Sequence, residues 1–361
     1  MNTMTFTYTA LPARVIFEPG SITQVATEVN RLNCSRALVL CTPEQRDLAD
    51  RVAQLLGSIC VGIFDQAAMH VPMDTVRAAR EQAEAISADC VVSVGGGSTI
   101  GLGKAIALDT DLPILAIPST YAGSEMTPIY GITAEGEKKT GRDPKVLPRT
   151  VLYDVDLTLT LPVELSMTSG LNAIAHAAEG LYAPDANPVM SMIAEEGIRA
   201  LAEGLPGVYA DSQDPEARWR CQYGAWLCST VLGHLGMGLH HKLCHTLGGS
   251  FDLPHAPTHS IVLPHALAYN RSAAPQAMQS IARALGSDDA AQGIYDLATS
   301  LGVDMALRDL AMPEEGIARA VELASKAQYP NPRPLEPIAL ATLMNNAWAG
   351  LPPVEPGSPN A

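Results

Sequence analysis

Residues 90–108 read CVVSVGGGSTIGLGKAIAL, and the first half of the chain is organised around this stretch. Cys90–Val94 is a short apolar, β-branched run of the kind that forms a buried strand. Ile100–Leu108 continues with helical spacing, so Gly95, Gly96, Gly97, Ser98 and Thr99 make the turn between strand and helix. Glycines at that turn let the backbone come close to a ligand, and the exposed amides at a helix start favour a phosphate. A tight structural turn is the alternative reading. The G-x-G-x-x-G pattern fails because Ile100 stands where the third glycine belongs. A Walker A loop fails as well, with Ser98 five places before Gly103 and Ala105 after Lys104.

Outward from this loop the same rhythm repeats. Ala37–Leu40, residues 59–64 and residues 113–118 read as further strands, with helices over 43–57 and 73–86. Strand, helix, strand implies a parallel sheet covered by helices. The junction after residue 118 contains Ser119 and Thr120, so two neighbouring strands end in ligand-type loops. From about residue 162 strand signals vanish. Segments 162–183, 187–204, 214–235, 236–248, 273–286, 289–301 and 313–328 read as helices. The expected organisation is an α/β domain over 1–160 with a Rossmann-like, dinucleotide-binding parallel sheet, then an all-α domain over 161–361. A cleft between two such domains is a natural ligand site. The Pro-rich end, Leu351 to Ala361, reads as weakly ordered.

Composition narrows the class. Apolar residues make up 47% of the 361 and charged residues 17%, which suits a soluble globular chain. No apolar run approaches the roughly 18 residues of a membrane span, and no secretion signal opens the chain. The seven cysteines are scattered without a Cys-x-x-Cys pair, and read as buried thiols of a reducing cytoplasm. A net charge of −15 argues against nucleic acid and demands a local reversal of sign for any anionic ligand. Lys138, Lys139, Arg142, Lys145 and Arg149 supply one such reversal, read either as a solvated surface hairpin or as a carboxylate trap.

The chemistry gathers in HLGMGLHHKLCHTLGGSFDLPHAPTHS, residues 234–260. Seven of nine histidines fall between positions 234 and 265. His241 and His245 share a helix face, and His255 follows a Gly-Gly break. In SGLNAIAHAAE, residues 169–179, Asn172 and His176 stand at i and i+4 with Glu179 close behind. Imidazoles so grouped bind a metal or move protons. His70, His234, His259 and His265 read as ordinary core or surface histidines. Asn172 puts a neutral amide where a divalent ion wants a carboxylate, so the reading is a site without metal.

These residues resemble the iron-containing, group III alcohol dehydrogenases, and within them the maleylacetate reductase branch. The resemblance spans GGGS at 95–98, PST at 118–120, GSE at 123–125, YDVDLTLTLP at 153–162, SGLNAIAHAAE, HHKLCHTLGGSFDLPH at 240–255 and NPRP at 331–334. It implies a dehydroquinate synthase-like fold and an NADH- or NADPH-dependent oxidoreductase. The family's ligand set, an aspartate and three histidines, falls on Asn172, His176, His241 and His255, with His245 near the nicotinamide. The missing aspartate is a departure that the reductase branch shares, and that branch is regarded as metal-free. A second departure is the shortened loop PSTYAGSE at 118–125, with Tyr121 inserted. Where the family has an NADH-selecting aspartate this chain has Thr42, which leaves both cofactors open. Gly95, Gly96, Gly97, Ser98, Ser119, Thr120 and Thr42 are thus the expected cofactor contacts.

The implied reaction reduces a carbon–carbon double bond conjugated to a ketone in a small dicarboxylate, through an enolate. His241 and His245 are the expected stabilisers of the enolate oxygen, with Lys242 a weaker candidate, and His176 and His255 complete the catalytic group. Asn172, Tyr121 and Arg142 are expected at the substrate. The resemblance also implies a cytoplasmic homodimer. Two rivals stand beside this reading: a metal-dependent alcohol or aldehyde dehydrogenase of the same fold, and a nucleotide-binding protein without catalysis.

Overall fold

The computed structural model describes residues 5–134, 137–326 and 329–358. Two compact units divide the chain, Ala10–Leu161 and Pro162–Ala361, with the residues up to Thr9 grouping with the second. The expectation that the chain start belongs to the α/β unit is corrected here. Tyr8 stacks on His234 of the helical unit, with ring centroids 5.6 Å apart.

The α/β unit carries strands β1 (Arg14–Phe17), β2 (Ala37–Leu40), β3 (Cys60–Phe64), β4 (Cys90–Gly95), β5 (Ile114–Pro118), β6 (Ile129–Ala134), β7 (Glu137–Arg142) and β8 (Thr150–Tyr153). Its helices are α1 (Val25–Arg31), α2 (Arg46–Leu56), α3 (Met73–Ala85) and α4 (Gly97–Thr110). Six strands form one parallel sheet in the order β1-β8-β5-β4-β2-β3, while β6 and β7 form a separate antiparallel hairpin. Alternation along each strand feeds two cores. Val39, Val92 and Leu115 face α1 and α2 through Val25, Val29, Val52 and Leu56. Leu38, Leu40, Val91 and Ile114 face α3 and α4 through Val76, Ala79, Leu102 and Ile106. Each large apolar side chain fully buried this way contributes about 1.5–3 kcal/mol.

The strand order places the ligand loops. The chain lays β3 on one side of β2, then returns to lay β4 on the other. That reversal opens a crevice at the carboxyl ends of β2 and β4, where Thr42 and Gly95 lie. Below it, Lys104 of α4 is fully buried and donates to Thr127 Oγ1 and to the Ile129 carbonyl, both at 2.8 Å. Burial pushes its ammonium down to about 7 and pushes the neighbouring Glu125 carboxyl up. Tyr153 donates its hydroxyl to Glu125 Oε1 at 2.7 Å.

The helical unit contains α5 (Val163–Leu181), α6 (Pro188–Ala210), α7 (Pro215–His234), α8 (Leu239–Phe251), α9 (His255–Asn270), α10 (Pro275–Leu285), α11 (Ala290–Ser300), α12 (Gly316–Lys326) and α13 (Pro337–Ala349). Their starts follow from local chemistry. Asn187, Asp214 and Asp289 accept first-turn amides of α6, α7 and α11, and Pro188, Pro215, Pro275 and Pro337 open their helices. α5 is the central helix, buried from Ser166 to Gly180. A Cβ at Gly170 would lie 2.6 Å from Leu205 Cδ2, and one at Gly180 would collide with Val231 Cγ1. Small residues there let α6 and α7 close on α5.

α9 is missing from the sequence reading because its three-proline neighbourhood looks like a turn. Pro257 falls in the first turn, where no amide bond is lost, while Pro264 is buried inside the helix. The end of the chain is also corrected. Pro353 and Pro356 are buried, and the Pro356 carbonyl accepts from Arg333 at 3.2 Å. Among the described residues no helix is long and apolar enough to cross a membrane. The seven cysteines are free thiols, six of them buried.

Candidate active site

At the carboxyl end of β4 the chain turns sharply. Gly95 has φ 138°, a conformation that L side chains rarely adopt, and Gly96 caps α4. α4 starts at Gly97, three residues earlier than its sequence period suggests, so the first-turn amides of Gly97, Ser98 and Thr99 have no partner within the helix. The Ser119 amide donates to the Gly95 carbonyl at 3.1 Å, and a Cβ at Gly96 would sit 3.1 Å from Thr120 Cγ2. The structure thus brings Gly95, Gly96, Gly97, Ser98, Ser119 and Thr120 together, with Thr42 capping the turn after the adjacent strand β2. Gln45 is an addition without a motif to announce it. Its Nε2 donates to Ser119 Oγ at 2.9 Å, and its Oε1 lies over Gly95.

The histidines converge in the helical unit. α8 begins at Gly238 without a side-chain cap of its own. Glu179 of α5 serves instead: its carboxylate accepts from the amides of Gly238 at 3.0 Å, His240 at 2.8 Å and His241 at 3.3 Å. The same carboxylate accepts from His241 Nδ1 at 2.7 Å. A negative group at a helix N-terminus is stabilised by the dipole as well as by the bonds. His241 therefore carries its proton on Nδ1, and its buried Nε2 presents a lone pair with no partner. Sequence spacing noted Glu179 without giving it this role, because a cap contributed by another helix leaves no local pattern.

Around His241 the rings of His176 and His245 stand with centroids 5.0 and 6.3 Å away, and His245 stacks on His255 at 6.4 Å. His240 and His259 join them, at 4.9 and 5.0 Å from His241. His259, which reads as ordinary in the sequence, lies inside the cluster. Asn172 is buried one turn before His176, its Oδ1 without a partner. Lys242 is exposed and stands outside this ring packing. Tyr121 is completely buried. Arg142 ends β7 and is exposed, while Lys145 of the same basic segment pairs with Asp111 at 2.8 Å. The Lys138 side chain lies outside the described residues.

Burial, reinforced by neighbouring imidazoles, holds His176, His241 and His259 well below the usual histidine range. Burial pushes His240 down to about 4 and His265 down to about 3. All five are neutral at pH 7. The unfolded chain takes up protons at these histidines near pH 6.5 while the folded chain does not, so stability is full above that pH and falls as pH drops below it. Below that pH each such group costs up to about 1.4 kcal/mol of stability per pH unit until its own depressed pKa is reached. Urea unfolding at pH 7.5, 6.0 and 5.0 should show midpoints already declining at pH 6.0, above the carboxylate range. A flat midpoint down to pH 5.0 would contradict the neutral, buried cluster.

Comparison with known proteins adds the lineage. Residues 12–155 match the family model described as iron-containing alcohol dehydrogenase, and residues 166–348 match its C-terminal counterpart. The chain belongs to the iron-containing alcohol dehydrogenase family. It is an oxidoreductase of that family and is 56% identical to the maleylacetate reductase of Burkholderia cepacia, over 96% of this chain and 99% of the relative. The crystal structure of maleylacetate reductase from Agrobacterium tumefaciens matches with TM-score 0.95 at 52% identity, covering 97% of this chain and all of that one. The Rhizobium maleylacetate reductase structure matches with TM-score 0.94 at 53% identity over the same 97% and 100%.

The iron-containing family name raises the question of a metal, and the donor set answers poorly to one. Asn172 offers a neutral amide oxygen, and the nearest carboxylate, Glu179, is occupied by three amides and an imidazole. The ring nitrogens in this cluster that lie within 4.8 Å of one another belong to His240, His241 and His259. His240 is already committed, Nε2 to the His259 carbonyl at 2.9 Å and Nδ1 facing His241 Nδ1 at 3.3 Å. A divalent ion held by these three rings would have the neutral donor set of a three-histidine zinc site, with no carboxylate from Asn172 or Glu179 to balance its charge.

Proposed function

We propose that this chain reduces the carbon–carbon double bond of maleylacetate to give 3-oxoadipate, using NADH or NADPH and no resident metal. The observation that carries the reading is Asn172, buried beside His176 with its amide oxygen unpartnered where the family pattern has a metal-binding aspartate. The identities of 51–56% to curated maleylacetate reductases support the same substrate.

In this reading the glycine loop at 95–98 holds the cofactor phosphates through the free amides of α4, with Ser119, Thr120 and Thr42 beside them. The reduced nicotinamide, when bound, would supply hydride to the alkene carbon β to the ketone; the double-bond electrons would move to the ketone oxygen, leaving an enolate for this chain's residues to hold and protonate. Collapse of the enolate takes one proton onto the adjacent carbon. A neutral His241 has no N–H to offer the enolate, because its proton is committed to Glu179. That revises the role expected of it: its Nε2 lone pair receives and orients a donor. His245, whose side chain is exposed, is the residue able to exchange protons with solvent and deliver one. Asn172 contributes an amide to the substrate, and Arg142 the positive charge that a dicarboxylate needs on a chain of net charge −15. The working form is a homodimer in the cytoplasm.

Purified enzyme should oxidise NADH or NADPH on addition of maleylacetate, followed by the loss of reduced-nicotinamide absorbance. Prolonged dialysis against EDTA or phenanthroline should leave kcat within about twofold, with zinc and iron far below one equivalent by elemental analysis. Stoichiometric metal with chelator-sensitive turnover would overturn the metal-free part. Turnover of simple aldehydes but not of maleylacetate would overturn the substrate.

A further inference from the structure

His259 is fully buried, and neither of its ring nitrogens has a hydrogen-bond partner. Buried polar atoms in folded proteins are nearly always paired, so an imidazole with no protein partner on either nitrogen calls for a role. Its surroundings are specific. It lies one helical turn after His255 on α9, with ring centroids 4.1 Å apart. It meets His240 and His241 edge-on, at interplanar angles of 81° and 76°, and His245 at 6.3 Å. It thus packs against three histidines of α8 and against His255 of its own helix.

The hydrogen-bond roles of two neighbours are fixed. His241 gives its proton to Glu179 and shows a lone pair; His240 gives its Nε2 proton to the His259 carbonyl. A neutral imidazole always keeps one N–H. Whichever nitrogen bears it, His259 brings an uncommitted donor and an uncommitted acceptor beside two rings whose protons are assigned. The ring lies against His255 at an interplanar angle of 46° and edge-on to His241, so it is in contact with both.

We propose that His259 is a positioning residue of the reductase site, holding the rings of His241 and His255 in register for the substrate through its ring face and its unpaired nitrogens. This rests on the maleylacetate reading above.

The test uses the full-length enzyme with H259F and H259N, each measured for kcat, both KM values and thermal midpoint. Phenylalanine keeps the ring area but removes both nitrogens. It should lower kcat about 10–100-fold, leave the NADH KM within about twofold, and hold or raise the melting midpoint, because two unpaired buried polar atoms are gone. Asparagine keeps a donor and an acceptor, and should recover kcat to within about fivefold of wild type despite a lower midpoint. The opposed movement of rate and stability is what a purely structural histidine would not give. H259F with wild-type kcat overturns the proposal. So does a kcat that tracks the thermal midpoint across both variants. Wild-type turnover is measured alongside: an inactive wild type refutes the functional reading itself and this role with it, whereas an active wild type with an equally active H259F refutes the role alone.

Discussion

Glu179→Ala should cost the enzyme about 100-fold or more in kcat and about 3–5 kcal/mol in stability. The substitution leaves three amides at the start of α8 and the Nδ1 proton of His241 without their common acceptor. With that acceptor gone, His241 is free to move its proton to Nε2 and present a donor where it now presents a lone pair. One oxygen carries most of both losses, and Glu179→Gln tests this. Oε2 accepts from the Gly238 and His241 amides and from His241 Nδ1, while Oε1 accepts from the His240 amide. A glutamine oxygen in the Oε2 position keeps the tautomer and sets its NH₂ against the His240 amide, so kcat should return to within about tenfold of wild type while part of the stability stays lost. Chemical unfolding and steady-state kinetics on both variants read the two effects. A Glu179→Ala enzyme with kcat within about threefold of wild type would show that the His241 tautomer does not matter to turnover.

Gly95→Ala should be nearly as damaging, through the cofactor. At φ 138° an alanine is strained by about 1–3 kcal/mol. Its Cβ would also collide with Gln45 Oε1, forcing that side chain off Ser119. Relieving the clash moves the turn that presents the amides of Gly97, Ser98 and Thr99. The expected result is a rise of about 30–100-fold in the Kd for NADH, read by quenching of protein fluorescence. A Gly95→Ala enzyme that binds NADH within about threefold of wild type would contradict the requirement for this turn conformation.

The two halves of the chain were legible to different depths. Strands β2 and β4 and the helices after them follow period and composition, so the parallel sheet could be read directly. β1 and β8 are four residues each and pair only with sequence-distant neighbours, which no local signal announces. In the helical half α5, α7 and α10 keep nearly the bounds that their caps and prolines suggest. α9 hides behind Pro257 and Pro264, and with it the placement of His259 one turn from His255. Helical spacing could put His241 and His245 on one face. It could not show that Lys242 stands outside the ring packing, that Tyr121 is completely buried, or that Glu179 crosses from α5 to cap α8. Those depend on how elements pack, which is information carried by pairs of distant residues.

An asparagine side chain and an aspartate side chain differ by one heteroatom of almost equal size. At position 172 the helix is packed on all sides, and that packing would accept either with no change of backbone. The negative charge kept nearby, on Glu179, is engaged by the start of α8 and by His241 Nδ1. The scaffold therefore sits one amide nitrogen away from an anionic donor set. Whether an anion faces His176 from this position is a question of charge at a single atom.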